Sequence, residues 1–466
     1  MSWTQTETSE SDLGDERLDT RYAQVLDQLW CNPTASIPAS CGGWAETQAA
    51  YRFFSNYKVN ETDVLLPHRE RTIERIREQK VALVVQDTTE LDYTKKQEKI
   101  QGLGVLNMEE RYGCYLHPTA VFTPEGLCLG VTSAQFVTRE SGSLGKKTDK
   151  EREKEPIEDK ESYRWLEGYR EACELAELAP ETEVVMVADR EGDIYEIFDE
   201  AGQIEKGKAH WLIRSTHSRA VDAKESKDSR GYLHEVVSRT KPLGKVEFDL
   251  PARKGRAARR VCQTIYASKE TLQPPKRTGR RLSTQKITIV LAREENPPKG
   301  QEPVEWFLIT SAGVKTLNRA IEIIGWYLAR WGIEVFFRVL KTGCRVEELQ
   351  LEKREHLFSC LAVYMIIAWR ILFLTHLGRQ CPDISCEVVF DKVEWKAAYI
   401  VAMRTKPPKK PPTLNEMINI IAQFGGYLNR NNDPPPGAQA MWIGLQRTRD
   451  FALGQMALQQ ANATLE

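Results

Sequence analysis

Apolar residues change their period along this chain, and each change marks an element. Residues 1 to about 75 follow a mostly helical pattern, with short loops near Asn32-Pro33 and Cys41-Gly42-Gly43. Next come continuous apolar runs of strand length: Val81 to Val85, then Thr119 to Phe122 and Leu127 to Val131 on either side of a Pro124-Glu125-Gly126 turn. A charged stretch, Lys146 to Lys160, predicts an exposed loop, and Tyr163 to Leu178 returns to helical spacing. Further strand-like runs follow at Val184 to Ala188 and Trp211 to Arg214. Residues 230 to 310 lack helical periodicity and alternate β-type segments with Pro, Gly and basic turns, which predicts a β-rich insertion. A long helix is expected from about Leu317 to Lys341, with more helices through residue 378. A Pro/Lys linker (Lys406 to Pro412), a short helix and a Pro434-Pro435-Pro436 break complete the pattern. The run Leu361 to Leu374 is interrupted by Arg370 and is too short to span a bilayer, so it predicts a buried helix.

Strands alternating with helices predict an α/β core whose sheet is covered on both faces, because its strands are apolar without alternation. Ligands bind such sheets at the carboxyl ends of the strands. Two apolar runs end in aspartates, Asp87 and Asp189. An aspartate there commonly caps a turn or a helix, and Asp189 opens the helix-entry string Asp-Arg-Glu-Gly-Asp. On the long helix, Tyr327, Arg330, Glu334 and Lys341 fall within one narrow stripe at about 100° per residue. Ile324, Leu328, Trp331, Val335 and Val339 form an adjacent apolar stripe expected to pack on the sheet. The plain alternative is a solvated salt-bridge face.

Composition narrows the classes. The chain has 65 Lys and Arg against 66 Asp and Glu, so net charge neither favours nor excludes nucleic acid. Distribution is more informative. Arg253, Lys254, Arg256, Arg259, Arg260, Lys269, Lys276, Arg277, Arg280 and Arg281 crowd one segment, and Arg404, Lys406, Lys409 and Lys410 another. Local positive fields of this kind attract phosphate, although either run also fits a solvated loop. The 10 cysteines are irregularly spaced with no Cys-x-x-Cys pair, which argues against structural zinc and for free thiols in a reducing compartment. The acidic, polar opening residues argue against a secretory leader. No Gly-x-Ser-x-Gly or His-Glu-x-x-His string occurs, and Gly142 to Thr148 lacks the spacing of a nucleotide-binding phosphate loop.

Three carboxylates remain as the candidate chemistry. Asp87, Asp189 and Glu334 offer hard oxygen ligands of the kind Mg²⁺, or Mn²⁺ in its place, requires. A pair of such ions about 4 Å apart supports in-line displacement at phosphorus without a Ser, Cys or His nucleophile. Arg330 and Lys341 would neutralise flanking phosphates, and Tyr327 would donate a hydrogen bond to one.

The string Tyr327-x-x-Arg330-x-x-x-Glu334-x-x-x-x-x-x-Lys341 resembles the Tyr-Arg-Glu-Lys signature of bacterial DDE transposases of the insertion-sequence-four family. Val-Val-Gln-Asp87-Thr-Thr and Ala-Asp189-Arg-Glu-Gly-Asp-Ile-Tyr resemble that family's two aspartate blocks. Leu13-Gly-Asp-Glu-Arg-Leu and Ala50-Tyr-Arg-Phe-Phe resemble its N-terminal end-binding domain, and Gly425-Gly-Tyr-Leu its dimerisation domain. The resemblance implies an RNase H-like catalytic core (76–378) with its β-rich insertion at about 230–310. A helical DNA end-binding domain (1–75) and a helical dimerisation domain (379–466) would flank it. It further implies cut-and-paste transposition through a DNA hairpin, at terminal inverted repeats and into target DNA. This would happen inside a synaptic homodimer acting in the bacterial cytoplasm at the nucleoid, with no membrane partner. Trp306 stands at the position of a base-stacking tryptophan, with a core strand residue as the alternative. Arg214 stands at a DNA-contacting position, with a sheet-edge ion pair as the alternative. Arg17, Arg21 and Arg52 stand where inverted-repeat contacts are expected, or are plain surface charges. Gly332 and Val335 depart from the family, which has a basic residue and an acid there. An RNase H-like nuclease without strand transfer, and a DNA-binding inhibitor without catalysis, are the competing expectations.

Overall fold

The computed structural model describes residues 2–146, 148, 151, 155–205, 207–222, 230–250, 252, 257–275 and 281–465. The chain opens with five helices: α1 (Trp3–Glu7), α2 (Glu16–Cys31), α3 (Ile37–Cys41), α4 (Trp44–Phe54) and α5 (Glu61–Arg77). On α2, Tyr22, Val25, Leu26, Leu29 and Trp30 repeat at helical spacing and are all buried. Asp15 caps α2 by accepting from the Arg17 N–H, and Asn60 caps α5 through Asp63. Tyr22 stacks on Phe53 and donates its hydroxyl to the Val64 carbonyl at 2.6 Å, which ties α2, α4 and α5 together.

Among the described residues, thirteen strands then form one mixed sheet: β1 (Val81–Gln86), β2 (Thr89–Asp92), β3 (Gly104–Val105), β4 (Tyr112–Phe122), β5 (Cys128–Val137), β6 (Glu183–Ala188), β7 (His210–Arg214), β8 (Ala220–Asp222), β9 (Arg230–Tyr232), β10 (Gly244–Leu250), β11 (Arg259–Leu272), β12 (Gln285–Glu294) and β13 (Glu305–Thr310). Its centre runs β4-β1-β6-β7-β13-β12-β11, with β5 on the far side of β4 and β10 on β11. The β1, β6 and β7 pairings are parallel, whereas β4 against β1 and β13 against β7 are antiparallel. Helices α6 (Tyr163–Leu178) and α7 (Tyr195–Gln203) lie along the chain on either side of β6.

Why the central strands are apolar at every position is visible in the packing. Leu83, Val85, Val185, Val187 and Leu212 join one core cluster, while Ala82, Val84, Met186, Ala188 and Ile213 join a second. Successive side chains point to opposite faces, so two covered faces need an unbroken apolar run. Trp165, Leu166 and Tyr169 of α6 cover the second face. The first is covered by α11 (Arg354–Gln380), against which α13 (Leu414–Phe424) and α14 (Ala438–Leu465) pack, while α12 (Lys392–Met403) packs on those two. Helix α11 is 27 residues long, longer than the apolar run predicts and long enough to cross a bilayer, yet nearly all of its apolar window is buried within the fold.

The segment 230–310 is mainly β, as its pattern predicts, but it extends the central sheet through β13 instead of standing apart. It also holds a short helix, α8 (Leu233–Ser238), whose six residues are too few to display a helical period.

The long helix differs from its expected form. It is two helices, α9 (Leu317–Ala329) and α10 (Trp331–Arg338), followed by a π-helical turn over Val339–Gly343. At the junction the hydrogen bonds tighten to three-residue spacing: Arg330 N–H donates to Tyr327 O at 3.2 Å and Ile333 N–H to Arg330 O at 3.0 Å. Both irregularities shift the helical phase. The predicted apolar stripe holds only in part: Val339 is buried and Ile324 and Val335 pack against the core, but Leu328 is 50% and Trp331 58% exposed, and Ile323, Trp326, Ile333, Phe336, Phe337 and Leu340 are buried instead. Apolar residues surround this helix, so periodicity alone did not select the docking face.

Gly332 acquires a specific reason. A Cβ at this position would lie 2.5 Å from Cε1 of the buried Phe122 ring on β4. Helix propensity alone makes Gly332→Ala stabilising by about 1 kcal/mol. The contact reverses the sign, and we expect a loss of about 1–3 kcal/mol from overpacking. A urea midpoint equal to or above wild type would contradict it.

Candidate active site

Parallel pairing of β1 with β6 sets Val85 opposite Val187, so the next residues of each strand carry Asp87 and Asp189 off the same sheet edge. Helix α10 brings Glu334 to them. Its buried Ile333, Phe336 and Phe337 share the core cluster of Leu83, Val85 and Phe122. The Arg330 guanidinium joins the groups: Nη1 donates to Asp87 Oδ2 at 2.6 Å, and Nη2 lies 3.6 Å from Glu334 Oε1. Burial pushes the Asp87 carboxyl up, Arg330 pulls it down, and the nearby charges of Asp189 and Glu334 push it up again, leaving it at about 6. Asp189 also accepts from the Glu191 N–H at 2.8 Å, the capping role its string suggested.

Among the described residues, no group of three or more His, Cys, Asp or Glu side chains is arranged to hold a metal ion. The donor chemistry still fits a hard divalent cation. Three carboxylates outnumber the one guanidinium among them, and like charges held this close destabilise one another until a cation relieves them.

A second layer supports the aspartates, and sequence reasoning did not name it. Thr88 N–H donates to Asp87 Oδ1 at 2.8 Å, and the Thr88 hydroxyl lies 2.9 Å from His117 Nδ1. Burial, followed by Arg164, pushes the His117 imidazole down to about 3, so it stays neutral. Arg164 on α6 spans both aspartate loops, with Nε donating to Thr88 Oγ1 at 3.2 Å and Nη2 to Glu191 Oε2 at 3.4 Å. Asp193, fully buried, accepts from the Ser215 hydroxyl at 2.8 Å and from Arg219 Nη2 at 2.7 Å, and so anchors the Asp189 loop to the exit of β7. Only the spacing of Asp193 within its string hinted at this.

Beside the carboxylates, cations and aromatic rings alternate. Arg214 lies over Trp306 at 5.1 Å, Trp306 meets Tyr327 edge-on at 5.4 Å, and Arg330 lies over Tyr327 at 5.9 Å. These residues line a cleft of about 830 Å³ that Leu328 and Trp331 also border. Trp306 is half-buried on this cleft, and Tyr327 is 4% exposed, with burial holding its phenol above the usual range.

The remaining candidates make other contacts. Lys341, carried by the π turn, donates to the Glu90 carbonyl at 2.8 Å and lies 3.3 Å from Glu347. Its ammonium is thus engaged within the protein. Arg17 and Arg21 are one helical turn apart on α2, with Arg17 exposed and Arg21 half-buried, and Arg52 is exposed on α4. Of the first basic run, Arg253, Lys254, Arg256, Lys276, Arg277 and Arg280 lie outside the described residues, as do Lys147, Asp149, Lys150, Arg152, Glu153 and Lys154 of the charged stretch. Arg259 pairs with Glu294 and Arg260 with Glu247, so part of this run serves strand pairing. Arg404, Lys406, Lys409 and Lys410 are all exposed.

Residues 1–59 match the family described as Transposase DNA-binding, and residues 366–462 match the family described as Transposase Tn5 dimerisation domain. Both matches describe transposase modules, one at each end of the chain, and together they support a Tn5-like transposase family for this protein.

Proposed function

We propose that the protein is a DDE transposase of the insertion-sequence-four family that cuts its element free at terminal inverted repeats and joins it to target DNA. The observation that carries this reading is the meeting of Asp87 and Glu334 on one guanidinium, with Asp189 beside Asp87, although the three lie far apart in the chain. The strand order β5-β4-β1-β6-β7, with β4 reversed against a parallel β1, β6 and β7, supports an RNase H-like core. The division into end-binding (1–75), catalytic (76–378) and dimerisation (379–466) domains goes with this reading, as does work at the nucleoid in the cytoplasm.

Asp87, Asp189 and Glu334 would hold Mg²⁺, or Mn²⁺, and Asp87 would release Arg330 when they do. When bound, such ions stabilise the attacking and leaving oxygens of in-line displacement at phosphorus. Arg330, once released, lies where a phosphate flanking the reacting one needs neutralising. Trp306 presents its ring to a base leaving the stack, and stacking offsets roughly 1–3 kcal/mol of the cost of exposing that base. Water first hydrolyses one strand at the element end and leaves a 3′ hydroxyl, which gives up its proton and attacks the opposite strand's phosphodiester, displacing the flanking DNA's 3′ oxygen and closing a hairpin. Incubating the protein with DNA from the ends of its element and Mg²⁺ tests this. Hairpin-ended products support the reading, and nicked products alone favour a nuclease without strand transfer.

One observation favours a catalytically silent DNA binder, namely the Asp87–Arg330 ion pair that already satisfies part of the acidic cluster. Mg²⁺-dependent cleavage by the wild-type protein excludes it.

End binding is expected to use Arg17, Arg21 and Arg52. Each phosphate contact removed by Arg→Ala should lower the slope of log K against log salt by about 0.9. An unchanged slope assigns that arginine to the free surface.

A further inference from the structure

Away from the carboxylates, helices α1, α2, α11, α12 and α14 line a small cavity of about 10 Å³, room for a single small particle. Trp3, Trp30, Arg370, Thr448, Glu394 and Arg449 all line it. Four polar atoms of these residues are buried with no hydrogen-bond partner among the described residues: Trp3 Nε1, Trp30 Nε1, Arg370 Nε and Thr448 Oγ1. Four such atoms on residues that line one small cavity is unusual, because buried donors are nearly always satisfied.

The polarity of the set limits what can satisfy it. Three of the four are N–H groups that only donate, and the fourth is a hydroxyl able to donate. Both Glu394 oxygens already face a donor, Oε1 the Arg449 guanidinium at 3.5 Å and Oε2 the Asp391 N–H at 3.1 Å. Arg370 spends Nη2 on the Val389 carbonyl at 3.3 Å, and Arg449 spends Nη1 on Cys31 Sγ at 3.0 Å. A water molecule has two lone pairs and would leave a donor unmet, whereas a halide accepts from several directions at once. Charge points the same way: Arg370 and Arg449 against Glu394 leave one positive charge around the cavity. The two guanidinium groups lie over the indoles, Arg370 at 5.1 Å from Trp3 and Arg449 at 4.6 Å from Trp30, and polarise their N–H groups toward an anion.

We infer that this cavity binds a single chloride-sized anion, held by the indole N–H groups of Trp3 and Trp30, Nε–H of Arg370 and the hydroxyl of Thr448. The ion would join α1 and α2, within the DNA-binding match, to α11 and α14, within the dimerisation match. Its binding would therefore fasten the two ends of the chain to each other.

The test is the melting temperature of the full chain in sodium chloride, bromide and gluconate at equal ionic strength, with crystals grown in sodium bromide. We expect Tm in either halide to exceed that in gluconate by about 2 °C. Trp3→Phe, which removes one donor and keeps an aromatic ring, should shrink that increment, and Arg370→Met should abolish it. An anomalous bromide peak should lie in the cavity. Equal Tm values in the three salts, an increment that persists in Arg370→Met, or an ordered water with no anomalous signal would each overturn the assignment.

Discussion

Asp87→Ala, Asp189→Ala and Glu334→Ala are each expected to lower Mg²⁺-dependent cleavage of element-end DNA by at least about 10³-fold while leaving end binding within a few-fold of wild type. The loss should be large because no single carboxylate substitutes for another. Asp87 and Asp189 leave adjacent strands at one level, and Glu334 approaches from α10. Folding should survive all three changes. Asp87→Ala leaves Arg330 with Glu334 as partner, and Asp189→Ala and Glu334→Ala each remove a charge that repels Asp87. Circular dichroism and a gel-shift assay on the same preparations separate lost chemistry from lost structure. Full cleavage by any one variant removes that residue from the catalytic set.

Acid should destabilise the protein through Glu7, and Glu7→Gln should cost about 1–3 kcal/mol at pH 7, the usual range for breaking a buried charged hydrogen bond. This glutamate ends α1 and is buried against α5, where Arg75 Nη1 donates to Oε1 at 2.7 Å and His68 Nδ1 lies 2.6 Å from Oε2. Burial alone raises the carboxyl, but the hydrogen bond with His68 and the charge of Arg75 more than reverse this and hold it below its ordinary value of 4.5. The Val131 N–H donates to His68 Nε2 at 3.1 Å, so the imidazole is neutral and carries its proton on Nδ1 toward Glu7. Burial lowers the His68 pKa, consistent with that tautomer. The signs agree. A lowered carboxylate contributes stability above its unfolded pKa and loses it as pH falls from about 4.5 toward its lowered folded value, whereas a lowered histidine begins to cost stability below about 6.5, where the unfolded chain takes up a proton the folded chain refuses. Urea midpoints between pH 7 and pH 3 should fall in wild type and fall less steeply in Glu7→Gln. Parallel curves for the two proteins would show that Glu7 does not carry the acid response.

Several features were legible before any coordinates. The unbroken apolar runs ending at Asp87 and Asp189 announced strands covered on both faces, because alternation is lost only when neither face meets water. The mostly helical pattern of residues 1 to about 75 announced the N-terminal helices, and the Leu361 to Leu374 run announced a buried helix. Both follow from rules a local segment obeys by itself.

Tertiary structure alone decided the rest. It broke the Glu334 helix at Arg330, turned Leu328 and Trp331 outward, and drew Lys341 onto the Glu90 carbonyl. It chose Arg330 as the partner of Asp87, 243 residues away, and linked Arg164 to Thr88 and Glu191. It also gathered the unpaired donors of Trp3, Trp30, Arg370 and Thr448 from both ends of the chain. Periodicity records whether a segment is buried, because burial acts on each residue where it stands. Which distant side chain meets which depends on strand order, helix phase and the close fit of residues such as Gly332 on Phe122, and no local pattern carries that information.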